Sequence, residues 1–241
     1  MRAETRRSLK EDRFRGATIQ VAERTAHWSV EHKSKLITFS IIVLVVLAAV
    51  LGTWAYLSSQ DEKASVDLGA AVRTMETQVR PPGVPAQPNF PSFASSEERA
   101  TAAKKEFQQV VDKYPHTHTA DVARYFLGLT SNDLGDNATA ERYLGEVASI
   151  HDKDLAGLAK FALAAVYRKE NKDGQAVDLY KQLIDRPTAT VAKVTAQMEL
   201  ASFYQSKQQT ADAKRIYEQV QKENQGTEAG SLAGSKLTEL K

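Results

Sequence analysis

The longest apolar run in the chain lies near its start. Residues 36–57 read LITFSIIVLVVLAAVLGTWAYL and contain no charged residue. A helix rises about 1.5 Å per residue, so a run of this length reaches across the roughly 30 Å hydrocarbon core of a bilayer. Trp54 and Tyr56 lie at the far end of the run, where aromatic rings suit the headgroup level of a membrane. The pattern predicts a transmembrane helix over residues 36–59.

Two other structures can contain a long apolar run. A buried core helix rarely lacks polar residues over such a length. A cleavable signal peptide has a shorter apolar segment, and fewer residues precede it than the 35 found here. We therefore expect an uncleaved membrane anchor.

The charges on the two sides of this run are unequal. Residues 1–35 contain nine Lys or Arg and five Asp or Glu, whereas the only basic residues from 58 to 77 are Lys63 and Arg73. Positive charge resists translocation, which keeps a basic flank in the cytoplasm. We expect a basic cytoplasmic tail over residues 1–35. In a bacterium the protein would then lie in the inner membrane, with residues 61–241 in the periplasm.

Past the apolar run the periodicity becomes that of amphipathic helices. Residues 60–80 carry apolar positions at steps of three and four, which predicts a membrane-proximal helix. Five of the seven prolines lie between residues 81 and 91. This density prevents regular helix and favours extended chain, so we predict a proline-rich loop or linker over residues 81–96. From 97 to 241, apolar helical segments alternate with short turns and show no strand pattern, which predicts antiparallel helix pairs.

These helical segments repeat every 36 or 37 residues. One set carries Ala, then an aromatic residue or Leu four positions on, then an apolar residue three further on: Ala103, Phe107, Val110; Ala140, Leu144, Val147; Ala176, Tyr180, Leu183; Ala213, Tyr217, Val220. The intervening set carries Leu followed by a small residue: Leu127, Gly128; Leu163, Ala164; Leu200, Ala201. The small residue allows two helices to approach closely. Each pair buries only part of its apolar surface, so the pairs are expected to stack.

This pattern resembles the tetratricopeptide repeat, whose first helix has Leu-Gly-x-x-Tyr and whose second has Ala-x-x-x-Phe-x-x-Ala. The matching residues are Leu163, Ala164 and Tyr167; Leu200, Ala201 and Tyr204; and Ala103, Phe107, Val110 and Pro115. The departures are the longer period, the absence of the early Trp, and Ser131 in place of Tyr. The resemblance implies an all-α chain. One N-terminal transmembrane helix would precede a tetratricopeptide-like α-solenoid over residues 97–241, closed by a C-terminal capping helix.

The resemblance also implies where a ligand binds. In the family, ligand-facing positions lie two before, two after and five after the conserved Leu of each first helix, on the concave face. Carried over, the expected protein-binding residues are Tyr125, Leu129, Asn132, Phe161, Arg168, Met198, Ser202 and Gln205. Three of them form an apolar strip (Tyr125, Phe161, Met198) and three a polar ladder (Asn132, Arg168, Gln205). Such a groove suits an extended or helical peptide segment. The alternative is that several of these side chains are simply packed between helices.

Composition and motifs limit the kinds of ligand and catalytic site that the chain can have. The tail carries nine basic and five acidic residues, a net charge of +4, and the rest of the chain 23 basic and 25 acidic residues, a net charge of −2, so the rest has no basic footprint for nucleic acid. The absence of cysteine excludes disulfides, thiolate metal sites and a catalytic cysteine. His116 and His118 lie in a turn without an acidic cluster, and no phosphate-binding loop or hydrolase motif occurs. We expect no enzymatic activity, cofactor or metal site.

The complete layout resembles the bacterial ancillary subunits of the Sec translocon, which have a short cytoplasmic tail, one span ending in aromatic residues, and divergent tetratricopeptide repeats. This implies a membrane-tethered periplasmic scaffold that passes emerging proteins to periplasmic chaperones, with translocon subunits as partners. The alternative is an assembly or coordination factor for a cell-envelope, cell-division or cytochrome-maturation complex. An enzyme with its active site on the repeat surface is a third hypothesis, but no converging nucleophile and base are visible.

Overall fold

The computed structural model describes residues 33–87 and 90–240, and most of the predicted tail lies outside this part. The described residues form nine α-helices, and their only strand-like pairings are two isolated bridges. The predicted all-α class is therefore confirmed. The chain divides into two compact units, Met1–Leu57 and Ser58–Lys241, which are described separately.

The described part of the first unit belongs to helix α1, which covers Lys33–Glu76. This helix is long and apolar enough to cross a membrane, and no part of its most apolar window is buried by the described residues. Leu44, Val46 and Trp54 expose between 54% and 69% of their surface. A core helix would be covered by protein, so the buried-helix interpretation does not fit. The hydroxyl of Thr53 donates to the carbonyl of Ala49, which satisfies a polar group within the helix itself.

In the second unit eight helices follow the last part of α1. They are α2 (Ser96–Lys113), α3 (His118–Asp133), α4 (Asn137–Val147), α5 (Lys153–Lys169), α6 (Asp173–Asp185), α7 (Lys193–Ser206), α8 (Thr210–Glu223) and α9 (Glu228–Glu239). From α2 onward each helix packs mainly against the next one along the chain. Helices α3, α5 and α7 carry the Leu-plus-small pattern and are called the first helices. Helices α2, α4, α6 and α8 are the second helices.

The repeated positions form the core of this unit. The aromatic or Leu position of each second helix is almost fully buried: Phe107, Leu144, Tyr180 and Tyr217. The Ala that precedes each of them is also buried, as is the Leu of each first helix. Neighbouring repeats share these residues in their apolar clusters, so each helix pair is covered by the next. This arrangement confirms the predicted repeat fold.

The proline-rich segment is a closed loop in its described part. Helix α1 ends at Glu76, four residues before the predicted boundary. Val79 then pairs with Phe93, and the backbone of Arg80 donates to Phe93 at 3.0 Å. The guanidinium of Arg80 also donates to the Ser92 carbonyl at 3.0 Å. These bonds hold the two ends of the loop together, whereas proline density alone favoured an extended chain.

Candidate protein-binding surface

The eight predicted binding residues all lie on the first helices, and together they are called the first-helix face. They are Tyr125, Leu129 and Asn132 on α3; Phe161 and Arg168 on α5; and Met198, Ser202 and Gln205 on α7. Ser202 is exposed, and the other seven are half-buried. Steps of three and four residues put them on one side of each helix. The structure therefore leaves part of every one of these side chains open to solvent.

Side-chain caps fix the starts of two of these helices. The hydroxyl of Thr117 accepts from the backbone of Ala120 at the start of α3. The carboxylate of Asp152 accepts from Asp154 and Leu155 at the start of α5. Such caps satisfy backbone donors that have no partner inside the helix. No side chain caps α7, so its position depends on packing.

The apolar strip is shared between packing and solvent. Tyr125 packs against the cluster of buried residues around Leu163, and burial raises the pKa of its phenol. The ring of Phe161 meets the ring of Tyr180 edge-on, with centroids 6.0 Å apart. Met198 packs against the cluster that holds α7, α8 and α9 together. These three side chains are thus partly packed between helices, as the alternative proposed, and partly accessible to solvent.

Arg168 is the central residue of the polar ladder. Its Nη1 donates to Glu199 at 2.9 Å and lies 3.5 Å from the hydroxyl of Tyr180. The guanidinium also lies over the ring of Phe203, 5.5 Å from its centroid. Arg168 on α5 is therefore held by α6 and α7 together. This network fixes the direction of the guanidinium on the first-helix face.

The two amides of the ladder are held by their oxygen atoms. The Oδ1 of Asn132 accepts from Lys169 at 2.8 Å, and the Oε1 of Gln205 accepts from the hydroxyl of Tyr217 at 3.2 Å. Within the described residues neither amide nitrogen has a hydrogen-bond partner. An amide NH2 group carries two donors, so both side chains present oriented donors to a ligand.

The chain matches the family model of the tetratricopeptide repeat-like domain over residues 27–241. It belongs to this family. Neither a curated protein nor a solved structure matches the chain. Membership of the tetratricopeptide repeat-like family indicates an interaction scaffold with protein partners.

Two residues of this surface were not singled out from the sequence. Lys169 and Glu199 hold Asn132 and Arg168 in place, yet neither occupies a ligand-facing position of the repeat. The partners in these pairs are 37 and 31 residues apart. The separation of 37 between Asn132 and Lys169 equals one repeat period and could have revealed that pair, whereas the separation of 31 between Arg168 and Glu199 matches no repeat spacing.

Of the two histidines predicted to lie in a turn, His116 does, whereas His118 is the first residue of α3. The Nε2 of His118 lies 3.0 Å from the carboxylate of Asp152, which caps the start of α5. The hydrogen bond with His118 lowers the pKa of the Asp152 carboxyl below its usual range. In residues 33–87 and 90–240 no group of three or more His, Asp or Glu side chains could hold a metal.

Proposed function

We propose that this protein is a membrane-tethered, non-enzymatic scaffold that binds peptide segments of other proteins on the first-helix face. The observation that carries the proposal is the pair of oriented amide donors on Asn132 and Gln205, beside a half-exposed apolar strip. A peptide offers carbonyl acceptors along its backbone and apolar side chains between them. The two kinds of group on this face match those two features.

Preorganisation supports this proposal. The ladder residues are held by Lys169, Glu199 and Tyr217, so a peptide would not have to order them on binding. Each rotamer-rich side chain that is immobilised during association costs about 0.5–1.5 kcal/mol. A surface whose side chains are already fixed avoids that cost. Exposed Ser202 beside Gln205 leaves space on α7 for an approaching chain.

The tether is the apolar part of α1, and the location follows from the charge bias of its flanks. The N-terminal tail would stay in the cytoplasm, and the repeat unit would lie in the periplasm of a bacterium. Attachment to the inner membrane would raise the local concentration of the first-helix face for proteins that emerge there. Because the layout resembles that of the ancillary translocon subunits, we propose that the protein acts beside the translocon and passes emerging chains to periplasmic chaperones.

Photocrosslinking in intact membranes tests the function and the surface together. Benzoylphenylalanine replaces Ser202 or Leu129 on the first-helix face, and Lys214 on α8 as an exposed control. Crosslinks from Ser202 and Leu129 to nascent secreted chains or translocon subunits, without crosslinks from Lys214, support the proposal. Crosslinks from the face to one fixed envelope protein would favour an assembly factor. Crosslinks from Lys214 alone would contradict the choice of surface.

A further inference from the structure

A cavity of about 930 Å³ lies in the second unit, between α5 and the C-terminal end of α6. The turn before α5 and the turn after α6 complete its wall. None of the eight residues of the first-helix face lines it. It is therefore a separate surface feature, which we call the basic cavity.

The basic cavity is named for its charges. Lys153, Lys160 and Arg186 line it, together with one acidic residue, Asp185. Over the described ranges, none of the three cations forms an ion pair or a side-chain hydrogen bond, whereas other cations of this unit do, namely Lys104, Arg124, Arg168, Lys172, Lys193 and Lys207. Like charges around one cavity repel each other, and each of these groups has several unused donors.

The preceding repeat neutralises its cation at the same position. Arg124 stands 36 residues before Lys160, as Leu127 stands before Leu163. The guanidinium of Arg124 donates to Asp121 at 2.6 Å and lies 3.8 Å from Glu146. This repeat therefore supplies two carboxylates of its own.

In the following repeat the charges are also paired. Glu223 stands 37 residues after Arg186. Its carboxylate accepts from Lys193 at 3.0 Å and from Gln219 at 2.8 Å. At the position of Lys160 this repeat has Gln197, which is uncharged and almost fully buried. Here too a carboxylate faces a cation from the same chain.

The middle repeat has no carboxylate at the equivalent three positions. Gly157 takes the place of Asp121, Gln182 the place of Glu146, and Arg186 the place of Glu223. All three replacements line the basic cavity. Lys160 therefore keeps the positive charge of Arg124 without the two carboxylates that face Arg124, and Arg186 adds a second positive charge where the following repeat has Glu223.

We propose that the basic cavity is a binding site for an acidic segment of a partner protein, whose carboxylates pair with Lys160 and Arg186. The volume is far larger than the roughly 30 Å³ that one water molecule occupies, so the cavity has room for more than a single small ion. Its wall includes the apolar residues Ile150, Leu183 and Pro187, which suit the aliphatic parts of a peptide. Lys153 adds a third positive charge that attracts an acidic chain. This site goes beyond the proposed function, because it does not require binding on the first-helix face.

A binding assay with the full chain in lipid nanodiscs tests the site. The probe is a fluorescein-labelled hexaglutamate peptide followed by anisotropy, with hexaglutamine as the uncharged control. We expect the double substitution Lys160→Gln and Arg186→Gln to weaken binding by about tenfold or more. The matched control, Lys105→Gln with Lys222→Gln, removes the same charge from exposed positions outside the cavity. It should change binding by less than about twofold.

The substitution Gln182→Glu gives a second and nearly isosteric test. It restores the carboxylate that Glu146 supplies in the preceding repeat, so an internal counter-ion should compete with the peptide and weaken its binding. Circular dichroism confirms that each variant is folded. Equal weakening in the Lys105 and Lys222 control, unchanged binding in the cavity variants, or displacement of the peptide by an equal concentration of inorganic phosphate would overturn the proposal. Crosslinking from Ser202 does not involve the cavity, so it reports on the proposed function independently.

Discussion

Gly128 lies at a close contact between α3 and α4. A Cβ atom at this position would lie 2.5 Å from the Cγ of Leu144, closer than two carbon atoms can pack. The equivalent small residues in the next repeats are Ala164 and Ala201, which face the repeated positions of Tyr180 and Tyr217. The repeat pattern predicted a small residue at all three places. It did not predict that only a glycine fits at the first, because that depends on the branching of Leu144.

We expect Gly128→Ala to lower the free energy of unfolding by about 1–3 kcal/mol, because the added methyl group overpacks the contact with Leu144. Urea unfolding followed by circular dichroism measures the change. In a double-mutant cycle, Leu144→Ala removes the clashing atoms, so the two substitutions together should destabilise less than the sum of their separate effects. Additive effects would mean that the clash is relieved elsewhere.

Asp136 makes stability depend on pH. Its carboxylate caps α4 and lies 2.8 Å from Lys104, and the hydrogen bond from Lys104, followed by that from Thr139, lowers the pKa of Asp136 to about 2. A carboxyl whose pKa is lower in the folded state stabilises the fold above its unfolded pKa of about 3.9. This contribution is lost as the pH falls from about 4 towards 2.

The substitution Asp136→Asn tests this dependence, because Asn still caps the helix but cannot pair with Lys104. At neutral pH we expect it to lower the free energy of unfolding by less than about 1 kcal/mol, since the pair is partly exposed and screened by solvent. The difference from the original protein should shrink as the pH falls below 4. Asp178→Asn, at an exposed position of α6, is the control and should show no such change. A constant difference at every pH would contradict the assignment.

At the scale of helices, the repeat period predicted which residues are buried, because stacking requires the same positions to face the core in each repeat. The loop after α1 could not be predicted in the same way. Its closure depends on the guanidinium of Arg80 bonding to Ser92 and that of Arg99 bonding to Thr77. Hydrogen bonds to backbone carbonyls across 12 or more residues leave no periodic pattern. Of the partners of the polar ladder, Glu199 lies 31 residues from Arg168, a separation that likewise matches no repeat spacing.

Helix α9 covers the end of the stack, and its two leucines differ in environment. Leu237 packs against the cluster that contains Tyr217 and Val220, whereas Leu232 is 49% exposed. We expect Leu237→Ala to lower the free energy of unfolding by about 1–2 kcal/mol, because part of a leucine side chain leaves an apolar cluster. Leu232→Ala should cost less than about 0.5 kcal/mol. Thermal and urea unfolding of the two variants compare them, and equal effects would contradict a capping role for α9.

At the scale of the whole molecule, the sequence was informative where a physical requirement acts on many residues at once. A helix able to span a membrane must be long and apolar, and a stacked repeat must bury fixed positions. The sequence could therefore predict both features. A cluster of surface charges obeys no such rule. The basic cavity became apparent only when the charges of three repeats were compared in space, because Lys160 and Arg186 look like ordinary surface residues in the sequence. The residues of the first-helix face, in contrast, could be predicted, because they occupy fixed positions relative to the repeated Leu of each first helix.

The last prediction concerns the membrane tether. If the apolar part of α1 holds the protein in a membrane, the double substitution Leu44→Arg and Leu47→Arg should release it, because each central arginine costs about 2.5–3.5 kcal/mol of insertion free energy. The control places the same residues at exposed apolar positions of the second unit, Val66→Arg and Val84→Arg. Extraction with alkaline carbonate separates the outcomes. The original protein and the control should stay in the membrane pellet, and the first variant should appear in the soluble fraction. Release of the original protein would show that α1 does not span the bilayer, and the proposed periplasmic scaffold would then lose its anchor.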